Sequence, residues 1–527
     1  MTTPPFENRP PTDFSRPENR AAMQRAIEEL RTRLGRPVPL IIGSERIIAP
    51  RSIPRENPSH PSERVALVSR AEPAHAESAL DRAEAAFPAW RNTPVAERSA
   101  RLRAAAELLH RHRFELAAWE VIEVGKPWVE ADGDVAEAVD YLNYYAAEML
   151  RLESHAEVRQ VPGEQNLYRR EPLGVGAVIS PWNFPLAILT GMTCAALVAG
   201  NAALLKPAEQ ASATAHRLAE LLLQAGLPPG VVQLLPGLGE EIGDCLVRSP
   251  RIRWIAFTGS KEVGLRIVRL ASETPAGQAH VKRTIAEMGG KNAVIVDQDA
   301  DLDEAVLGTA FSAFGYQGQK CSACSRVIVL QPVLGRFLER LVETVRCLPV
   351  GPAEIPSTVI GPLVDAGARE KVSSAIAQGK KEARVAYEGE LPPDLEGHFV
   401  APVIFRDVPP DSRIAQEEIF GPVLSVIAAR SFSEAIGIAN ASAYALTGGV
   451  YSRSPAHIEQ AKREFLVGNL YVNRKITGAV VGRQPFGGLK LSGVGYKAGG
   501  PDYLLQFLQA RTITENTLRH GFAPIEE

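Results

Sequence analysis

The 527-residue chain is 45% hydrophobic with a formal net charge of −3, which suits a globular protein of two or more domains and gives no electrostatic reason to bind nucleic acid or an anionic membrane. Its five cysteines, Cys194, Cys245, Cys321, Cys324 and Cys347, are too few and too scattered for a disulfide scaffold and suit a reducing compartment. No apolar run is long enough to span a bilayer, and residues 1–9 carry an acid early without an apolar stretch, so the expectation is a soluble cytoplasmic protein with no secretory signal.

After a Pro-rich start, residues 19–34 space their apolar side chains three and four apart, predicting a helix, and residues 38–42 read as a strand. Amphipathic helices are predicted over 74–87, 95–120 and 129–153, the last carrying Tyr141, Tyr144 and Tyr145. From Gly174 the rhythm becomes strand, turn, helix. Residues 175–179 run into Ser180, Pro181, Trp182, Asn183, Phe184 and Pro185; residues 202–205 run into Lys206, Pro207, Ala208 and Glu209. Residues 231–235 lead to Pro236, Gly237, Leu238 and Gly239, and residues 252–257 enter Thr258, Gly259 and Ser260 before a helix opening at Lys261. Short apolar strands alternating with helices indicate parallel βαβ units and a doubly wound sheet. A second such series starts at residues 292–296 and continues toward Asn473, so the fold class is α/β with two doubly wound, Rossmann-like domains.

The strand-end turns hold the residues with chemical potential, each with an ordinary reading beside it. Gly237, Gly239 and Gly243 resemble a dinucleotide fingerprint but are spaced one residue too long, and Gly259 and Ser260 open a helix where backbone N–H groups suit an anion; the glycines also suit plain tight turns. Lys206 and Glu209 have the chemistry to hold ribose hydroxyls, with the carboxylate repelling a 2′-phosphate, or form an exposed helix start with Pro207 at its first position. Glu287, flanked by apolar residues and by Gly289 and Gly290, suits a general base or a surface turn. Asn183 offers an amide to an oxyanion or to a local turn bond. Cys321 sits in a turn of small residues with Lys320 beside it, which predicts an exposed thiol drawn toward thiolate; the alternative is a small core cysteine. Cys321 and Cys324 also spell a CxxC, but with no second CxxC and no histidine cluster a zinc site is not expected.

Six motifs in one order settle these alternatives. Pro181-Trp182-Asn183-Phe184-Pro185, Lys206-Pro207-Ala208-Glu209, Phe257-Thr258-Gly259-Ser260, Glu287-Met288-Gly289-Gly290-Lys291, Gly318-Gln319-Lys320-Cys321 and Glu417-Glu418-Ile419-Phe420-Gly421-Pro422 together resemble the aldehyde dehydrogenase superfamily, from about residue 38 onward. Met288 stands where that family usually has Leu, a volume-conserving swap. The resemblance implies Cys321 as nucleophile, Asn183 with the Cys321 N–H as oxyanion donors, and Glu287 as the base that hydrolyses a thioester. It implies NAD as cofactor, held by Ser180, Pro181, Trp182, Lys206, Glu209, Gly237, Gly259, Ser260, Glu418 and Phe420, with no metal.

The segment 473–488, with Ser492, Gly493 and residues 499–503, looks like the L-glutamate γ-semialdehyde dehydrogenase (1-pyrroline-5-carboxylate dehydrogenase) branch of proline catabolism. By that likeness Gly478 and Ala479 anchor a substrate α-carboxylate with Ser322, Lys320 supplies positive charge, Glu137 faces the substrate amino group, and Phe184 and Phe486 complete the site. The implied organisation is an N-terminal extension (1–36), an NAD-binding domain (37–156 and 172–286), a catalytic domain (287–509), and strands at 157–171 and 510–518 forming a small β flap that pairs subunits into a homodimer or an assembly of dimers. A succinate semialdehyde dehydrogenase would lack the 477–482 loop. A non-catalytic protein on this fold would have no reason to keep Cys321, Glu287 and Asn183 together. With no basic ribbon–helix–helix segment and no room for a flavin barrel, a piece of a bifunctional proline-oxidising, DNA-binding protein is not expected.

Overall fold

The structure is a computed structural model that describes residues 6–154 and 158–518. Its first sheet has a parallel centre in the order Arg283–Glu287, Trp254–Thr258, Val175–Ile179, Ala202–Lys206, Val232–Leu234. Antiparallel strands extend both edges: Leu40–Ile42 and Glu45–Ile47 at one, Gly493–Val494 at the other. Chain order reverses at Val175–Ile179, whose two neighbours are Ala202–Lys206 and Trp254–Thr258, so a ligand crevice is expected outside its carboxyl end. The second sheet runs Arg384–Glu388, Val403–Arg406, Val423–Ala429, Cys324–Leu330, Asn292–Val296, Thr447–Tyr451, Asn469–Val472, parallel except for the antiparallel Arg384–Glu388 edge. Two doubly wound domains are therefore present.

Central strands read as unbroken apolar runs because helices cover both faces. Val175–Ile179 and Asn292–Val296 are buried throughout. At Gly176 a side chain would overlap the indole of Trp254 on the paired strand, so glycine there lets that ring lie flat across the sheet. The helix Ala187–Val198 is apolar all round and lies between layers.

Several boundaries differ from the sequence reading for identifiable reasons. The expected strand 38–42 divides at Pro39, which has no N–H to give a ladder: Pro37–Val38 pairs with His60–Ser69, and Leu40–Ile42 joins the first sheet. The expected helix 95–120 is two helices, Val95–Arg111 and Arg113–Val124, separated at His112 (φ −94°, ψ 19°), whose ring meets Glu115 at 2.7 Å across the break. The helix Trp128–Ser154 forms much as expected. The flanking strands are Glu164–Pro172 and Leu508–Asn516, paired antiparallel as an exposed ribbon. The expected start of the first of them, Glu157, lies outside the described residues. The N-terminal helix Pro17–Arg31 buries Met23, Ile27 and Leu30 and packs on Arg113–Val124. Among the described residues no helix is long and apolar enough to cross a membrane.

Candidate active site

Carboxyl ends of the first sheet face amino ends of the second, and the chemistry-bearing residues gather in that seam. Cys321 follows the short helical turn Gly315–Gly318 and precedes Cys324–Leu330. The turn is strained: Tyr316 and Gln317 hold φ of 53° and 42°, in the left-handed region. Burial of Tyr316 and the Gln317 amide offset this strain, the amide accepting from Gly361 N–H (3.0 Å) and donating to Gly125 O (3.3 Å). A Cβ at Gly318 (φ 72°) would strike the Gly421 carbonyl, so only glycine lets the two loops meet. On the other side, Asn292 Nδ2 donates to the carbonyls of Cys321 (2.7 Å) and Ala323 (2.8 Å) and fixes the exit from the turn.

The thiol is not drawn toward thiolate in this state. Burial pushes the Cys321 pKa up to about 12, and the carboxylates of Glu418 and Glu287 add to the rise; the Ser322 backbone N–H facing the sulfur works the other way. Lys320 does not help because its ammonium is taken up by Glu130, 2.6 Å away. The sequence expectation of a lysine-activated, exposed cysteine is corrected on both counts: Cys321 is partly buried, and the neighbouring charge is already paired. For the same reason Lys320, although it lines the cavity, presents a neutralised ion pair rather than a free cation.

Glu287 ends the strand Arg283–Glu287, and burial pushes its pKa up to about 8, with the Gly488 N–H and the ammonium of Lys497 opposing the rise. Gly488 N–H reaches Glu287 Oε2 at 3.2 Å. Lys497 holds this loop through the carbonyl of Gly487 (2.9 Å) and the side chain of Asn469 (3.0 Å). Asn183 is buried, and its amide donates to the Gln319 carbonyl at 2.9 Å, which uses one of its two hydrogens and aims the group at the cysteine turn.

A cavity of about 300 Å³ brings together Cys321, Glu287, Glu137, Phe184, Lys320, Ser322, Gly478, Ala479 and Phe486. Burial, with Asp134 nearby, pushes Glu137 up to about 8. Phe184 is backed by Lys126, whose Nζ lies 3.9 Å from the ring centroid and pairs with Glu120 (3.1 Å) and Asp134 (3.0 Å), all three buried. Gly478 is left-handed (φ 75°), and among the described residues the N–H groups of Gly478 and Ala479 meet no protein acceptor. Phe486 is fixed by reciprocal backbone bonds with Ala498.

The remaining sequence candidates lie around the crevice at the first sheet. Lys206 is buried and pairs with Glu209 at 2.9 Å, so this is not the exposed pair of the ordinary reading; Gly239 stands opposite. Ser180 Oγ is buried without a partner among the described residues. Ser260 caps the helix Lys261–Ser272 by accepting from Val263 N–H (3.3 Å). A side chain at Gly259 would overlap the Phe257 ring, and one at Gly237 would crowd Ile242 and the Ala71 backbone, so both glycines serve packing as well as the turn. Glu418 accepts from Gly290 N–H at 3.0 Å, a side chain at Gly289 would overlap its carboxylate, and Phe420 stands edge-on to Trp182 with centroids 5.7 Å apart; Pro181 lies between Ser180 and Trp182 at the crevice mouth. An orphaned hydroxyl, a carboxylate with the chemistry for ribose hydroxyls and a glycine turn leading into a helix N-terminus together fit a dinucleotide. Asn292, Glu130 and Lys497 carry geometry that the sequence reading did not assign. Only Asn292 left a signal, as a polar residue opening an otherwise apolar strand.

The aldehyde dehydrogenase family matches residues 48–513. Over 511 residues the chain is 48% identical to 1-pyrroline-5-carboxylate dehydrogenase of Geobacillus thermodenitrificans (strain NG80-2), covering 97% of this chain and 99% of that protein. The crystal structure of 1-pyrroline-5-carboxylate dehydrogenase from Thermus with bound NAD matches with a TM-score of 0.96 at 50% identity, over 98% of this chain and 100% of that one. Proline utilization A from Bdellovibrio bacteriovorus, inactivated by N-propargylglycine, also matches with a TM-score of 0.96 at 49% identity, over 100% of this chain but 55% of that longer one.

Proposed function

The chain belongs to the aldehyde dehydrogenase family, and from that premise we propose that it oxidises L-glutamate γ-semialdehyde, in equilibrium with 1-pyrroline-5-carboxylate, to L-glutamate with NAD, as a step of proline catabolism. The observation that carries this reading is the cavity itself, where a thiol and a carboxylate of raised pKa share one space with the half-buried Glu137 and the two open N–H groups of Gly478 and Ala479.

Deprotonated Cys321 attacks the aldehyde carbon, and Glu287, poised to take protons near neutrality, accepts the proton of the thiol. The oxyanion of the thiohemiacetal is held by the free hydrogen of the Asn183 amide and the Cys321 N–H. When bound, NAD supplies a hydride-accepting, positively charged nicotinamide ring. Ser180, Pro181, Trp182, Gly237, Gly259 and Ser260 would line its path, Lys206 and Glu209 would take the adenosine ribose, and Glu418 and Phe420 the nicotinamide ribose. Cys321 then carries the acyl group as a thioester, and Glu287, once it has released the thiol proton to solvent, activates the water that frees the acid and returns the proton to the Cys321 sulfur. At the far end Gly478, Ala479 and Ser322 bind the α-carboxylate, Glu137 meets the ammonium, and Phe184 and Phe486 flank the carbon chain; Lys320 is held by Glu130 at the rim. A succinate semialdehyde has no ammonium to meet Glu137.

We assign residues 37–156 and 172–286 to NAD binding, 287–509 to catalysis, and the exposed ribbon of Glu164–Pro172 and Leu508–Asn516 to pairing of subunits in a cytoplasmic homodimer or an assembly of dimers. The deciding experiment is NAD reduction against a panel of aldehydes. Glutamate γ-semialdehyde is expected to exceed succinate semialdehyde and propanal in kcat/KM, and equal efficiency across the panel would overturn the substrate assignment.

A further inference from the structure

The segment before the N-terminal helix crosses the mouth of the substrate cavity and ties together two elements far apart in sequence. Asn8 Nδ2 donates one hydrogen to Asp140 Oδ2 on the helix Trp128–Ser154 and the other to the Val481 carbonyl, each at 2.9 Å. Arg9 N–H donates to Asp140 Oδ1 at 2.8 Å, so both oxygens of that buried carboxylate are engaged by this strap. The Arg9 guanidinium pairs with Glu107 at 2.9 Å, so its charge reaches Asp140 only from a distance while its backbone N–H makes the direct contact. Further along, Thr12 places its N–H and hydroxyl on Asp132 at 2.7 and 2.6 Å. Phe6 packs edge-on to Tyr144 with centroids 5.2 Å apart, and a Cβ on left-handed Gly482 would come within 3.3 Å of its ring. Asn8 and Arg9 line the same cavity as Cys321.

Val481 lies two residues beyond Ala479. Its carbonyl receives the Asn8 amide, the Val480 N–H is held by Gln484 Oε1 at 3.1 Å, and the Gly482 N–H by the Gly499 carbonyl at 2.9 Å. Among the described residues the N–H groups of Gly478 and Ala479 meet no protein acceptor, nor do those of Thr477 and Val481 on either side, so the orientation of the pair depends on how the rest of the loop is tethered. We infer that Asn8 is a positioning residue for recognition of the substrate α-carboxylate, joining Asp140 to Val481 so that the Gly478–Ala479 N–H pair is held at a fixed distance from the helix that carries Glu137. This rests on the substrate reading given above.

A merely structural strap and a positioning strap differ in what they predict. Asn8→Ala removes both donors at once and is expected to raise KM for glutamate γ-semialdehyde about tenfold with little change in kcat, the size expected when one or two hydrogen bonds are lost. The accompanying loss in kcat/KM for propanal, which has no carboxylate, is expected to be far smaller. The double variant Asn8→Asp with Asp140→Asn supplies the control. It exchanges donor and acceptor between the two positions, so the helix amide now donates to the strap carboxylate and the tie to the helix is restored, while the Val481 carbonyl still lacks its donor. That protein should recover its unfolding temperature yet keep the raised KM for the semialdehyde. Recovery of KM in the double variant, equal losses for both substrates, or an unchanged KM in Asn8→Ala would overturn the inference. Wild-type protein that shows no preference for glutamate γ-semialdehyde over propanal overturns the substrate reading and this inference with it. A retained wild-type preference that survives in both variants overturns this inference alone.

Discussion

A carboxylate pushed up to about 8 by burial makes the proposed deacylation step strongly pH-dependent, and Glu287 is the place to test it. The active base is the ionised form, so the rate should rise with pH and level off above the group's titration. With a midpoint at about 8, roughly one tenth of Glu287 is ionised one unit below it and nine tenths one unit above, so kcat should climb about tenfold between about pH 7 and pH 9. NADH formation under saturating substrate and NAD, measured across that range, gives the profile. Replacing Glu287 with Gln should remove the limb and lower kcat by two to four orders of magnitude, the usual size of a general-base contribution, roughly 10²–10⁴. Lys497 holds the pKa of Glu287 down, so Lys497→Met should move the midpoint to higher pH. The stability sign runs opposite to activity. Burial favours the protonated carboxyl, the stabilisation it lends is lost as pH rises through the folded-state pKa, and Glu287→Gln should therefore unfold at a higher temperature than wild type above about pH 8. A limb that survives in Glu287→Gln, or one centred at the ordinary carboxylate range in the wild type, would refute the assignment of Glu287 as base.

Three further outcomes follow from the site. Cys321→Ala should abolish turnover while NAD binding, read by quenching of tryptophan fluorescence, stays intact; near-normal turnover would remove the covalent mechanism. NAD should be preferred over NADP because Glu209 would face a 2′-phosphate, and Glu209→Ala should narrow the ratio of kcat/KM values for the two cofactors; equal efficiency in the wild type would show that Glu209 serves only to hold Lys206. Gly478→Leu should cut kcat/KM for glutamate γ-semialdehyde far more than for propanal, since charge-assisted hydrogen bonds contribute roughly 1.5–3 kcal/mol each and the substitution also strains a left-handed backbone (φ 75°); equal losses would reduce the loop to a packing element.

What was legible in the sequence is what local pattern writes. The parallel strands are short, mostly apolar runs of three to seven residues flanked by turns, and Val175–Ile179, Asn292–Val296 and the helix opening at Lys261 fall where the periodicity places them. Breaks in that pattern came from single residues whose effect is only seen in three dimensions, Pro39 dividing a strand between two sheets and His112 dividing a helix. The electrostatics were the least legible part. Lys320 beside Cys321 suggests activation when the chain is read in a line, but its partner Glu130 is 190 residues away in sequence, and the carboxylates that raise the thiol come from two other segments. Adjacency in sequence is a poor guide to the field at an atom when a single buried ion pair cancels it.

The proposed substrate carries its two recognisable charges at one end and its reactive carbon at the other, and this shapes what the protein must hold rigid. Glu137, proposed for the ammonium, sits on the helix Trp128–Ser154, while the N–H groups proposed for the carboxylate belong to a loop more than three hundred residues further along. Neither element alone sets the distance between the two contacts. Lys126 fixes one boundary from inside by pinning Asp134 of this helix and the Phe184 ring, and Asn8 fixes the other from outside by spanning 132 residues to Asp140 and 473 to Val481. An error of an ångström in that spacing would misplace the aldehyde carbon relative to Cys321, where near-attack geometry tolerates little displacement. The N-terminal strap is therefore better understood as part of the substrate-measuring frame than as an appendage to the NAD-binding domain, which is why the signature that sets it apart from a purely structural tie is KM for the carboxylated substrate, beyond any loss of stability.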